Sequence, residues 1–133
     1  MAAIEAITNE RSSQSMSQHA QTGVPWPIRL IEVLGIVGII FWLFMIVRAL
    51  MEDASSALGV VIAGLVLGSA HLMMSVGASR RSKVVYYAIA FILVGDSALA
   101  IWVDPQALAL VLFTLVLAGL GATGAARSWL RTP

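Results

Sequence analysis

The sequence predicts an all-α integral membrane protein, a bundle of four helices that each cross the bilayer. Hydrophobic residues make up 59% of the 133 residues and charged residues only 11%, whereas an ordinary soluble domain has roughly 25% charged residues. The apolar residues are concentrated in four segments, each close to the ~20 residues that a helix needs to span a bilayer. The connections between these segments are short, which makes neighbouring helices antiparallel.

Two regions are predicted along the chain. Residues 1–24 form a polar N-terminal tail, whose composition is typical of a segment that is disordered alone. Residues 25–133 form the membrane domain, with helices at about 28–50, 56–78, 83–103 and 106–127. A cleavable signal sequence has a basic start followed at once by an apolar core. The polar tail lacks that pattern, so we expect the first apolar segment to remain as a membrane helix.

The basic residues predict the orientation of the bundle. A four-helix path brings seven of the eight to one face of the membrane, and only Arg48 falls on the other face, beside Glu52 and Asp53. The positive-inside rule makes the seven-charge face cytoplasmic. We therefore expect a cell (inner) membrane location with both termini in the cytoplasm. The seven residues are Arg11, Arg29, Arg80, Arg81, Lys83, Arg127 and Arg131.

Weak internal repetition leaves a second description of the bundle open. A shift of 51 positions pairs Asp53 with Asp104 and Gly68 with Gly119. The same shift pairs Arg80 with Arg131. Each half would then be a helical hairpin, and the two hairpins would form a parallel repeat rather than an inverted one.

The second half of the chain resembles the HdeD-like short-repeat membrane proteins. The residues that carry the resemblance are Gly95 in GDSALAIW, then Asp104-Pro105, and LVLAGLGATGAAR through Arg127. The first half matches less well, because Met51–Ser55 contains no proline. The resemblance covers most of residues 28–131 and implies a helical membrane fold, with a link to acid resistance in some members. It carries no catalytic residue over to this chain.

Asp96 is the first candidate functional residue, because it lies near the middle of the third predicted helix. An aspartate at the bilayer centre costs roughly 2.5–3.5 kcal/mol on insertion scales, so its side chain should face protein. One interpretation is a proton or cation site. The other is a hydrogen-bonded aspartate that joins helices, with Ser97 or a serine or threonine of a neighbouring helix as its partner.

His71 and Glu32 are the two further intramembrane polar candidates. His71 differs from Asp96 by ~10 Å in depth at the helical rise, which argues against direct contact. Haem ligation often needs a second axial residue, and the other histidine, His19, lies in the polar tail. A packing or hydrogen-bonding role is therefore favoured for His71. Glu32 follows Arg29 by three residues on the same helix face, which favours an interfacial ion pair.

Glycines in the apolar helices predict close packing. Small residues let helix backbones approach each other in a membrane, where burial from water no longer drives association. The contacts would lie either within the bundle or against another subunit. The predicted helix-packing residues are Gly35, Gly38, Gly64, Gly68, Gly119, Gly121 and Gly124.

The sequence favours a non-enzymatic function. The chain has no cysteine and no phosphate-binding, zinc-protease, nucleophile-elbow or dinucleotide motif. We predict no enzyme activity, cofactor, metal site or nucleic-acid binding. The expected function is an accessory or scaffold subunit, with the bilayer, other membrane subunits or copies of itself as partners. The alternative is a small proton-coupled transporter, or an HdeD-like stress-response protein, that uses Asp96.

Overall fold

The computed structural model describes residues 1–20, 23–53, 55 and 57–132, and side chains 15–20 lie outside that description. These residues form six α-helices and no strand, which confirms the all-α prediction. A 3-10 turn, Pro105–Ala107, precedes the fifth helix. The helices are α1 (Ala2–Ala20), α2 (Trp26–Glu52), α3 (Ala57–Ser79), α4 (Val84–Trp102), α5 (Leu108–Gly121) and α6 (Gly124–Arg131).

The membrane-spanning part is a four-helix bundle. Helices α2, α3 and α4 are each long and apolar enough to cross a membrane, and the bent pair of α5 and α6 gives a fourth span when the two are counted as one. Consecutive helices pack side by side, and α2 contacts α5 to close the ring. The bounds of α2 to α4 lie within two residues of the prediction, because each helix must satisfy its own backbone in lipid.

The fourth predicted helix is not continuous over 106–127. The segments on either side of Ala122 and Thr123 meet at an angle of 69°. Thr123 leaves the helical conformation, with φ −61° and ψ 149°, and its hydroxyl oxygen accepts a hydrogen bond from the Ala126 N–H. A threonine in this position caps a new helix by satisfying one of its free N–H groups. The prediction of one unbroken helix is therefore wrong, and α6 turns away from α5.

The turn between α3 and α4 fixes the position of α6. Ser82 N–H donates to the Gly77 carbonyl oxygen (2.8 Å), and Arg81 has a positive φ of 55°. This is a Schellman-type helix end with arginine where glycine is usual. The Arg81 guanidinium lies 3.9 Å from the centre of the Trp129 ring. Trp129 Nε1 also donates to the Ala78 carbonyl oxygen (3.1 Å), so the indole joins α6 to the end of α3.

The buried core is concentrated in one half of the bundle. Ile28 and Met74 are fully buried there, together with Leu117, and α6 adds Ala126 and Leu130. This half contains the start of α2, the α3–α4 turn and α6. We call it the basic end, because its basic residues are Arg29, Arg80, Arg81, Lys83, Arg127 and Arg131.

The N-terminal tail contains a helix, which corrects the expectation of disorder for residues 2–20. Helix α1 begins in an alanine-rich stretch, and alanine has the highest helix propensity. The Thr8 and Ser12 hydroxyls donate to carbonyl oxygens four residues earlier, a bond that serine and threonine make inside helices. Side chains 1–14 are all exposed, so the described part of α1 does not join the core.

The two acidic connections share one local structure. Asp53 and Asp104 are both extended, with φ −158° and −150°. Each carboxylate accepts a hydrogen bond of 2.9 Å from the N–H two residues later, of Ser55 and Gln106 respectively. These are Asx turns at positions 51 residues apart. The helices that follow differ, because α3 continues to Ser79 while α5 ends at Gly121. The parallel repeat of whole hairpins therefore stays a prediction.

Candidate functional site

The middle of the bundle contains a small polar site. Asp96 on α4 is 2% exposed and Thr114 on α5 is fully buried. The Thr114 hydroxyl donates to Asp96 Oδ2 at 2.6 Å and also lies 3.0 Å from the Leu110 carbonyl oxygen. The other carboxyl oxygen, Asp96 Oδ1, is buried without a hydrogen-bond partner. Asp96 thus faces protein, joins α4 to α5, and keeps one polar atom unsatisfied.

His71 on α3 is the second buried ionisable residue, at 3% exposed. Its Nδ1 lies 2.8 Å from the Leu67 carbonyl oxygen. A carbonyl oxygen only accepts, so Nδ1 carries the proton in this hydrogen bond. The ring packs directly on Gly38 of α2, where any side chain would overlap it. The imidazole can therefore pack in this position only because Gly38 has no Cβ.

Asp96 and His71 are both buried but are not hydrogen-bonded to each other. Their side chains point into the same bundle interior from α4 and α3, and Thr114 reaches it from α5. This arrangement brings two titratable groups and one hydroxyl into an apolar surrounding. Chemically, such a site can hold and exchange a proton. Among the described residues, no three histidine or acidic side chains come together as metal ligands.

Glu32 lies apart from this site. It is half-buried on α2 near the basic end, and its main-chain oxygen accepts a hydrogen bond from Ser75 Oγ at 3.2 Å. The ion pair predicted with Arg29 is absent from the described chain, because the exposed Arg29 side chain does not reach the carboxylate. At the opposite end, Arg48 Nε and Glu52 Oε1 form an exposed ion pair, 2.7 Å apart.

The predicted packing glycines fall into two groups. An added Cβ at Gly35 would lie 2.9 Å from Ser75 Cβ, and one at Gly64 would lie 2.7 Å from Ile46 Cγ1. Gly38 lies against His71, and Gly68 and Gly121 have ordinary contacts, at 3.6 Å from Trp42 Cβ and 3.5 Å from Ile89 Cδ1. Gly119 and Gly124 have nothing within 4 Å of an added Cβ. Internal packing therefore does not account for these last two.

Two residues at the site around Asp96 were not identified from the sequence. Thr114 was anticipated only as an unnamed hydroxyl on a neighbouring helix, although it is the single polar residue in LALVLFTLVLAGLG. That isolation in an apolar stretch was the available signal. Gly95, one residue before Asp96, allows Leu67 of α3 to approach α4, since a Cβ there would lie 2.6 Å from Leu67 Cδ2. Gly95 could have been recognised in a similar way, as a glycine next to an acidic residue inside an apolar helix.

The fold and the site together define a small polytopic helical membrane protein with a buried Asp96–Thr114 hydrogen bond and a buried His71. Comparison with protein-family models, with curated proteins and with solved structures gave no match. The resemblance to the HdeD-like proteins therefore stays a hypothesis that depends on residues 95–127.

Proposed function

We propose that the chain is a non-enzymatic accessory or scaffold subunit that packs against other membrane proteins. The observation that carries the proposal is how little of each helix the chain buries by itself. Within the most apolar stretches of α2, α3 and α4, only 22%, 33% and 28% of the residues are buried inside the bundle. The remaining surface meets lipid or other proteins.

One outer face has the composition of a helix-packing surface. An apolar groove of about 500 Å³ runs between α3 and α4, and small residues line it, among them Ala63, Gly95 and Ala98. Trp102, which is 82% exposed, lies at its end. Small residues support this proposal because they let a further helix approach closely in a membrane.

Purification of the tagged chain in a mild detergent tests the subunit proposal. We expect other membrane proteins to co-purify in fixed stoichiometry, as identified by mass spectrometry. Replacing Ala63 or Ala98 with leucine fills the groove, so each variant should lose those partners. The matched control is Ala109→Leu, an exposed alanine on α5 outside the groove. A chain that purifies alone, or only with copies of itself, would contradict the proposal.

The proposed location is the cell (inner) membrane, with both termini in the cytoplasm. The support is the grouping of basic residues at the basic end, while Arg48 at the other end is paired with Glu52. An accessible tag inserted after Glu52 should react with an impermeant reagent on intact cells, and a tag after Arg131 should not. The reverse pattern would show that the orientation is wrong.

The alternative function is a proton-coupled transporter or HdeD-like stress-response protein that uses Asp96. The observation that favours it is the buried Asp96 Oδ1, which has no hydrogen-bond partner. Ionisable residues inside membrane helices commonly mark proton or ion pathways. Proton uptake into liposomes that contain the purified chain is the measurement that separates this function from the subunit role.

A further inference from the structure

An open cleft of about 680 Å³ lies at the basic end, between α4 and the bend that joins α5 to α6. Its lining changes character with depth. Lys83, just before α4, lines it together with Arg127 and Arg131 of α6. Further along α4 and α5 the lining is apolar, with Ile89, Leu93 and Ala118 among its residues. The cleft is thus basic where the bundle ends and apolar inside the membrane.

The bend after α5 is what creates this arrangement. Because α6 turns by 69°, its side chains come back beside the start of α4. Arg127 and Arg131 are four residues apart and therefore share one face of α6. Tyr86 lines the cleft and links α4 to the end of α5, since its hydroxyl donates to the Gly121 carbonyl oxygen at 3.3 Å.

The three cations have no carboxylate to neutralise them within the described chain. The one ion pair found there joins Arg48 and Glu52 at the opposite end. Like charges placed together repel, and an anion between them removes that repulsion. The charge of the site therefore complements a phosphate group.

The cleft as a whole, from Lys83 to Leu93, has about the length of one lipid leaflet. Ten residues separate Lys83 from Leu93, which corresponds to ~15 Å along a helix. This is about half of a hydrocarbon core roughly 30 Å thick. A phospholipid whose phosphate lies at the basic residues would place an acyl chain beside Ile89 and Leu93. Free phosphate has no acyl chain and would contact only the basic residues.

We propose that this cleft binds one anionic phospholipid. Its phosphate lies among Lys83, Arg127 and Arg131, and an acyl chain lies along the apolar lining. Basic clefts between membrane helices are a recurrent form of lipid headgroup recognition. Lipid binding at this cleft does not depend on the accessory-subunit function, because it involves only the surface of this chain.

Native mass spectrometry of the detergent-purified chain tests the charged part of the site. The probes are phosphatidylglycerol and phosphatidylcholine with identical acyl chains, and we expect the unchanged chain to prefer the anionic lipid. The double variant Arg127→Gln/Arg131→Gln should bind phosphatidylglycerol about 30-fold more weakly, since each cation contributes severalfold. The proposal is overturned if the unchanged chain shows no preference.

The matched control separates a defined site from diffuse attraction. Arg29→Gln/Arg80→Gln removes the same charge from the same end, but neither residue lines the cleft. We expect its lipid preference to change little. Equal losses in the two double variants would overturn the proposal, because the whole basic surface would then attract the lipid. All four substituted side chains are exposed, so both variants should keep the helical circular dichroism of the unchanged chain.

The apolar part has its own test. Ala118→Phe fills the inner cleft and leaves every cation in place. It should weaken binding of both lipids, and inorganic phosphate should not displace phosphatidylglycerol from the unchanged chain. If phosphate displaces the lipid, or if Ala118→Phe binds lipid as well as the unchanged chain does, the cleft recognises a phosphate without an acyl chain and the proposal is overturned.

Discussion

Gly38→Ala is expected to destabilise the bundle by about 1–3 kcal/mol, the usual cost of overpacking a filled interior. The new methyl group would overlap the His71 ring. That ring cannot move freely, because it is buried and its Nδ1 is hydrogen-bonded to the Leu67 carbonyl oxygen. Either α2 and α3 must separate or the hydrogen bond must break. Unfolding of the purified chain in detergent, followed by circular dichroism, measures the loss.

Gly119→Ala is the matched control, because it makes the same replacement in a helix where the added Cβ meets nothing within 4 Å. We expect its stability to be unchanged or slightly higher, as alanine favours the helix more than glycine does. The double variant Gly38→Ala/His71→Ala should recover part of the loss, because the two changes share one contact. Equal stability of the Gly38 and Gly119 variants would show that the His71–Gly38 contact is not tight.

Asp96→Asn is expected to abolish any proton flux that the chain carries while leaving its fold intact. Asparagine has the shape of aspartate, and its carbonyl oxygen can accept the Thr114 hydrogen bond. Its amide would occupy the place of the unpartnered Oδ1, so one unsatisfied buried atom replaces another. Only the ability to take up and release a proton is lost. The measurement is internal pH in liposomes after an acid jump, with protein-free liposomes as the baseline.

Thr114→Val is the complementary control, because it changes the hydrogen bond of Asp96 and not its carboxyl group. It keeps the carboxyl group but removes the hydroxyl that donates to Oδ2, so neither Asp96 oxygen then has a hydrogen-bond partner. We expect a stability loss of about 1 kcal/mol, in the range found for hydrogen bonds between membrane helices, with flux retained. An unchanged flux in Asp96→Asn would remove Asp96 as the proton carrier and leave it the helix-joining role. No flux in the unchanged chain would favour the subunit function.

The membrane helices could be predicted from the sequence because their cause is local. A segment in hydrocarbon must satisfy its own backbone hydrogen bonds, so a long apolar run is sufficient to specify a helix. The bounds of α2, α3 and α4 accordingly agree with the apolar segments. The prediction of the fourth helix was wrong at Thr123. The Thr123 side chain caps a new helix there, although the hydropathy of the sequence shows no break.

The candidate site could be predicted only in part. Asp96 and His71 were identifiable because ionisable residues are costly in lipid, whatever their neighbours are. The interfacial pair of Glu32 with Arg29 was not found, because sharing a helix face brings two residues near each other without requiring contact. Gly119 and Gly124 have no internal contacts. The presence of a glycine in a helix does not show which face of that helix packs against a neighbour.

The sequence by itself determined the helical membrane fold, the grouping of charges at one end and the two deep ionisable residues. Only the tertiary structure decided what those residues contact. It brought Thr114 of α5 to Asp96 and placed Gly38 of α2 under the His71 ring. It also returned Arg127 and Arg131 to the side of Lys83 through the bend after α5. These outcomes depend on the rotation and bending of each helix relative to its neighbours, which composition and hydropathy do not specify.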